Sequence, residues 1–234
     1  MISALVQNTI LSLVTTSLTF AVVFLLNHLH KKKSITNEVL RKVIHIGAGT
    51  FYLAIYFYDD HGQFSKYLNI FPNLLWMCIL IWKSQHHSSN HQPHDPILDI
   101  MTRNKHQSEL LYGPLFFNSV VVICGTIFYK TIPGSLIMSL LTWGDGLAAV
   151  IGVRYGSRRK IYGKKSLDGL LTFFIVGIIA SIIYISVLVN LQSVHLVKIC
   201  VISFITAVVE TLTSSDVDNL TVPLSILVSY YLIF

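Results

Sequence analysis

Residues 167–189 read LDGLLTFFIVGIIASIIYISVLV. Asp168 is the only charged residue in this stretch. A helix rises 1.5 Å per residue, so a run of this length can cross a hydrocarbon layer about 30 Å thick. Similar apolar runs occupy 2–27, 43–58, 67–82, 110–129, 132–153, 196–210 and 219–234. Several are short or carry polar residues. The expectation is an all-α polytopic membrane bundle with about seven to nine transmembrane helices. The first run is too long for a signal peptide and lacks its basic start and small-residue cleavage site. No Arg- and Ser-rich transit peptide precedes it, which favours a bacterial, cyanobacterial-type membrane.

Composition agrees. The 234 residues are 53% hydrophobic and 12% charged, with a mean hydropathy of +0.64. Disorder, collagen, coiled coil and a disulfide scaffold are excluded on those values. The net charge of +6 raises nucleic acid as a partner, but its placement rules that out. Loop 28–42 holds five Lys and Arg residues, loop 83–109 holds three and loop 154–166 holds six, together 14 of the chain's 17. With eight spans these loops share one side, and the positive-inside rule assigns it to the cytoplasm. Nine of the 11 acidic residues lie on or near that side, all but Asp59 and Asp60. Acidic residues contribute little to orientation, so this clustering points to function. Cys78, Cys124 and Cys200 fall in apolar runs without CxxC spacing and read as packing residues. The histidines of 83–106 stand in a polar, low-complexity setting whose spacing fits no zinc site.

Four polar constellations sit along this face. Arg41, Lys42 and His45 open the second span, with Arg41 and His45 one helical turn apart. A snorkelling basic anchor is the plainer reading of the same residues. Glu109 precedes Gly113-Pro114, a pattern for a helix start or break. Gly144-Asp145-Gly146 lies inside an apolar run, where a carboxylate costs roughly 2.5–3.5 kcal/mol unless a cavity, cation or substrate answers it. Gly152, Arg154, Gly156, Lys164, Lys165 and Ser166 follow. An acidic residue, then glycines and a basic loop, is what a magnesium–nucleotide triphosphate requires. The run is not a P-loop, because position 158 is arginine where a Walker A motif needs glycine. The fourth constellation is Glu210, Asp216, Asp218 and Asn219; Asp218 and Asn219 are also good helix caps.

Taken together, these motifs resemble the polyprenol kinase family, CTP-dependent kinases of lipid alcohols, and within it most closely the phytol and farnesol kinases. The likeness covers roughly residues 38–58 and 105–234. It rests on Arg41-Lys42-Val43-Ile44-His45, on Glu109-Leu110-Leu111-Tyr112-Gly113-Pro114-Leu115, on Gly144-Asp145-Gly146 through Arg154 to Lys165-Ser166, and on Glu210 through Asp218-Asn219 to Pro223. Two positions depart from the pattern. Ala149 stands where the family often has aspartate, and Asp168-Gly169-Leu170 replaces a commoner Glu-Gly-Ser or Ala-Gly-Ser.

The resemblance implies one integral membrane kinase domain over 1–234, with 1–37 a first span and basic loop. It implies transfer of the γ-phosphoryl of CTP to phytol, farnesol or geranylgeraniol at the cytoplasmic face, with Mg2+, for isoprenoid salvage and tocopherol synthesis. Asp145, Arg41, Lys42, His45 and Glu109 are then the candidate catalytic residues. Gly144, Asp145, Gly146, Gly152, Arg154, Lys165 and Ser166 are candidates for the nucleotide, and Asp145, Glu210 and Asp218 for the metal, with Asn219 beside them. The partners implied are the lipid alcohol, CTP and the bilayer. A CTP-dependent diacylglycerol or dolichol kinase, a cytidylyltransferase, and a small ion or metabolite transporter are the alternatives.

Overall fold

The structure is a computed structural model that describes residues 3–31, 36–61, 64–85, 95–102, 106–156, 159–163, 165–214 and 217–233. Lys32, Lys33, the loop histidines His86, His87, His91 and His94, and Arg103, Lys105, Arg158, Lys164 and Asp216 lie outside the described residues. The described chain is helical nearly throughout, as expected. It forms two compact units, Met1–Thr126 and Ile127–Phe234.

The first unit runs α1 (Ala4–Lys31), α2 (Asn37–Thr50), a 3-10 segment (Phe51–Phe57), α3 (Ser65–Leu68), α4 (Phe71–Gln85), α5 (Pro96–Met101) and α6 (Glu109–Thr126). The long helix α1 is inside-out by the standards of a water-soluble protein. Leu5, Val6, Leu13, Val14 and Leu18 are exposed, while Asn8, Ser12 and Thr15 are buried. That polarity suits lipid outside and hydrogen bonds inside. Asn8 carries the inner contacts: its amide donates to the Asp59 carbonyl at 3.0 Å and the Ser65 hydroxyl at 2.9 Å, and its Oδ1 accepts from the Asp59 N–H at 2.9 Å. Trp76 of α4 stacks on Phe20 and donates to Thr19. At the other end of α1, Leu26 packs with Leu40 and Ile100.

The second unit begins with a continuous stretch, Ile132–Tyr155. It comprises α7 (Ile132–Ser139), a π turn (Leu140–Gly144) and α8 (Asp145–Tyr155). A hairpin of β1 (Lys160–Tyr162) and β2 (Lys165–Ser166) leads to α9 (Leu167–Leu188), followed by α10 (Ser193–Leu212) and α11 (Asp218–Ile233). Helix α9 is central and packs on α7, the π turn, α8 and α10. Its pattern explains why. Ile175, Ile179, Ile183 and Val187 form an exposed stripe at every fourth position. The opposite face carries Gly177, Ala180 and Ser181, which let neighbours approach closely. A side chain at Gly177 would meet Leu140 at 2.5 Å. The Ser139 and Ser181 hydroxyls join across the same contact at 2.9 Å.

Five helices among the described residues have the length and hydropathy of a full crossing: Ala4–His30, Glu109–Thr126, Ile132–Tyr155, Leu167–Leu188 and His195–Leu212. By length and composition they make the chain a polytopic membrane protein. The other three expected spans fall on the second half of α2 with the 3-10 segment that continues it, on α4 and on α11, whose α-helical parts have 14, 15 and 16 residues. At 1.5 Å per residue these reach only about 21–24 Å.

The buried Asn8 cluster yields a stability prediction. Asn8→Leu leaves the Asp59 N–H without its acceptor, keeps only the Ser65 hydroxyl on the Asp59 carbonyl, and lowers stability by about 1–3 kcal/mol. Thermal unfolding in detergent should therefore shift down; an unchanged midpoint would remove Asn8 from the account of how α1 is held.

Candidate functional site

Asp145 is the first residue of α8, placed directly after the π turn, and it is fully buried at 0% exposure. Ten residues separate it from Tyr155 at the helix end, about 15 Å at helical rise. It therefore lies deep in a helix of membrane length rather than at its mouth. A π turn inside an α-helix frequently marks a functional position, because the extra residue shifts one carbonyl out of the ladder. Thr142, within this turn, is also fully buried and its Oγ1 has no hydrogen-bond partner. The π turn was not legible in the sequence. Only the small and polar residues of Leu140-Leu141-Thr142-Trp143-Gly144 hint at it.

Glu210 lies in the last turn of α10, and Asp218 begins α11; both are 2% exposed. The Asp218 carboxylate accepts from the Asn219 N–H at 2.8 Å. The turn between the helices is closed by the Thr213 N–H and hydroxyl, both donating to the Glu210 carbonyl. Helix α11 packs on α10, α7 and the π turn. Unit two thus buries three carboxylates, one directly after a π turn and two near helix ends. Asn219 is also buried.

Lys165 answers part of this charge. From β2 its ammonium pairs with the Glu210 carboxylate, the two side chains being 19% and 3% exposed. Among the described cations of loop 154–166, this is the one the fold turns inward. Arg154, by contrast, is exposed and lies 5.5 Å over the ring of Tyr155. Arg159 pairs more loosely, at 3.8 Å, with Asp168 in the first turn of α9. That pairing gives a local role to Asp168, one of the two departures from the family pattern.

The glycines of this region are filled by α9. A side chain at Gly144 would meet Phe173 at 3.3 Å, one at Gly152 would meet the Ser166 hydroxyl at 3.3 Å, and one at Gly156 would collide with the same hydroxyl. Ser166 is buried there as the N-cap of α9, its hydroxyl accepting from the Gly169 N–H at 3.2 Å. Gly146 is buried in the first turn of α8. These glycines hold α8 tightly against the start of α9, and so fix Asp145 relative to Lys165.

In the first unit, Arg41, Lys42 and His45 are half-buried on α2. The His45 ring lies 4.1 Å from that of Phe117 on α6, centroid to centroid. Glu109 stands half-buried in the first turn of α6, where a carboxylate complements the positive end of the helix dipole. The helix starts there and runs on through Gly113-Pro114 without a break.

Among the described residues no three His, Cys, Asp or Glu side chains form a ready-made metal centre. Asp145 and Asp218 are hard oxygen donors within apolar helices. That chemistry fits Mg2+, which is commonly held by one or two carboxylates together with phosphate and water.

No family model matches the chain, and no solved structure matches it. Curated proteins do. The chain is 27% identical to phytol kinase 1, chloroplastic, of Arabidopsis thaliana, over 92% of this chain and 73% of that protein. It is 28% identical to the phytol kinase of Synechocystis sp., over 80% of this chain and 76% of the relative. The farnesol kinase, chloroplastic, of Arabidopsis thaliana is 25% identical over 94% of this chain and 74% of its own length.

The Lys165–Glu210 pair carries the prediction of this section. Removing one partner takes the opposing charge from a poorly solvated place, so Lys165→Met or Glu210→Leu alone lowers stability by about 3 kcal/mol. The double variant Lys165→Met/Glu210→Leu recovers most of that loss. Unfolding in mixed micelles measures all three, and simple additivity of the single losses would show that the pair is not coupled.

Proposed function

We propose that this chain, which is phytol/farnesol kinase-like over most of its length, is a membrane kinase that phosphorylates a prenol, with CTP as donor. The observation that carries the reading is the burial of Asp145, Glu210 and Asp218 within helices of a membrane protein. Carboxylates kept in such surroundings mark function by default. The relatives' names supply the acceptor class. A long prenyl chain partitions into the bilayer at about 0.8 kcal/mol per methylene, which brings its hydroxyl to the depth at which Asp145 lies.

The reaction needs few protein groups, because phosphoryl transfer depends chiefly on positioning and on stabilising charge. The alcohol oxygen attacks the γ-phosphorus, and the bond from phosphorus to the β–γ bridging oxygen breaks. The nucleoside diphosphate leaves, and the hydroxyl proton passes to a carboxylate. Asp145 takes the lead role, orienting the alcohol or holding the cation with Asp218 and Glu210. Mg2+ bound there would offset the charge on the phosphate oxygens. Lys165, released from Glu210 when phosphate arrives, and Arg154 at the helix end neutralise the triphosphate. Arg41 and Lys42 carry the further positive charge that the transferring group requires, with His45 orienting one of them and Glu109 available as a base. Ser166, Gly144, Gly146 and Gly152 shape the backbone around the nucleotide, and Asn219 steadies Asp218. The basic loops face the cytoplasm.

Purified full-length protein in detergent with Mg2+ tests the reading. It is offered phytol, farnesol, dolichol and diacylglycerol against γ-labelled CTP and ATP. Label is expected in phytyl or farnesyl phosphate, and from CTP in preference to ATP. Label in dolichol or diacylglycerol alone would overturn the acceptor, and no transfer to any lipid would overturn the kinase.

A further inference from the structure

The β1–β2 hairpin is the part of the second unit that this reading leaves unused beyond Lys165. It joins two helices of membrane length, Ile132–Tyr155 and Leu167–Leu188, so it must sit at a membrane face. It is pinned there by the Leu167 N–H donating to the Arg159 carbonyl at 2.9 Å and by the Arg159 N–H donating to the Gly156 carbonyl at 3.3 Å. Lys165 ties its second strand to α10. Gly163, at φ +53°, makes the tight turn, a left-handed conformation that glycine adopts without strain.

The first strand stays open on much of its surface although α10 runs beside it. Lys160, Ile161 and Tyr162 are all exposed, Ile161 by 48% and Tyr162 by 58%. Two strands alone are marginally stable in water, and an exposed Ile-Tyr pair at their tip makes matters worse. The charge around the pair is one-signed: positions 154–166 carry six Lys and Arg and no Asp or Glu. The side chain of Arg159 remains 66% exposed despite its contact with Asp168. Tyrosine and isoleucine flanked by lysine and arginine, at the end of a membrane helix, is the composition of a segment that lies in the headgroup layer.

We propose that this hairpin is an anchor for the anionic surface of the bilayer, with Ile161 and Tyr162 immersed in the interfacial layer and Arg159 and Lys160 against lipid phosphates. Its occupant is the phospholipid surface itself, chosen because basic side chains and exposed apolar ones are interleaved on one short strand. Anchoring holds the second strand in place, and with it the Lys165 that reaches Glu210. The inference stands on the membrane architecture and not on phosphoryl transfer, so the two can fail separately.

The test places a depth-sensing label on the strand. In a full-length chain with Cys78, Cys124 and Cys200 replaced by Ala, Ile161→Cys is labelled with bimane and reconstituted in phosphatidylcholine vesicles with or without phosphatidylglycerol. Tyr162→Cys is the second probe, should the first variant fold poorly. In anionic vesicles the emission moves to the blue, and lipid carrying a headgroup-proximal spin label quenches it at least about twofold more than in neutral vesicles. Adding Arg159→Glu and Lys160→Glu abolishes the difference. Equal access of aqueous iodide to the label in both vesicles overturns the proposal, as does lipid quenching that the charge reversal leaves unmoved.

Discussion

A carboxylate enclosed by hydrocarbon loses its hydration, and the fold must supply something in return. In this chain the constraint is sharpest in the second unit, where Asp145, Glu210 and Asp218 are all 2% exposed or less. Glu210 has its answer in Lys165, brought from a position 45 residues away in the sequence. Much of the surrounding structure keeps that pairing possible. The hairpin turns Lys165 inward, Ser166 caps α9, and Gly152 and Gly156 let α8 settle onto the cap. The small face of α9 then draws the π turn and Asp145 close to the same helix.

The lipid environment explains the rest of the architecture by one rule. Many apolar side chains face out, and many polar ones turn inward. Helix α1 shows it with Asn8, Ser12 and Thr15 on the buried side, and α9 shows it with its outward isoleucine stripe. Helix positions were therefore plain from the sequence: each expected span falls on a helix, because membrane-length apolar runs have few other solutions. Crossing length was harder to read. Helices α4 and α11 are described over 15 and 16 residues, and the second span passes from α2 into a 3-10 segment, a change of helix type that hydropathy does not register.

The polar site was legible as a set of residues and much less so as a geometry. A carboxylate at position 145 stands out in an apolar run, whereas the π turn before it leaves only a faint trace. The glycines at 144 and 152 read as room for the close approach of a ligand or of backbone. In the structure that room is taken by Phe173 and Ser166. The basic run at 154–165 gave no sign that Lys165 turns inward while Arg154, Arg159 and Lys160 stay exposed, since similar residues differ only in how the backbone presents them. The hairpin itself was hidden by its length, Lys160–Tyr162 against Lys165–Ser166, although Gly163 marks the turn.

If the buried carboxylates are retained for phosphoryl transfer and not for the fold, neutralising the deepest of them separates the two. The decisive comparison is prenol kinase turnover and thermal midpoint, measured together for the parent and Asp145→Asn in the same detergent. The account predicts that transfer falls by about 100-fold or more while the variant inserts and melts within a few degrees of the parent. Near-normal turnover in a well-folded Asp145→Asn protein would contradict it.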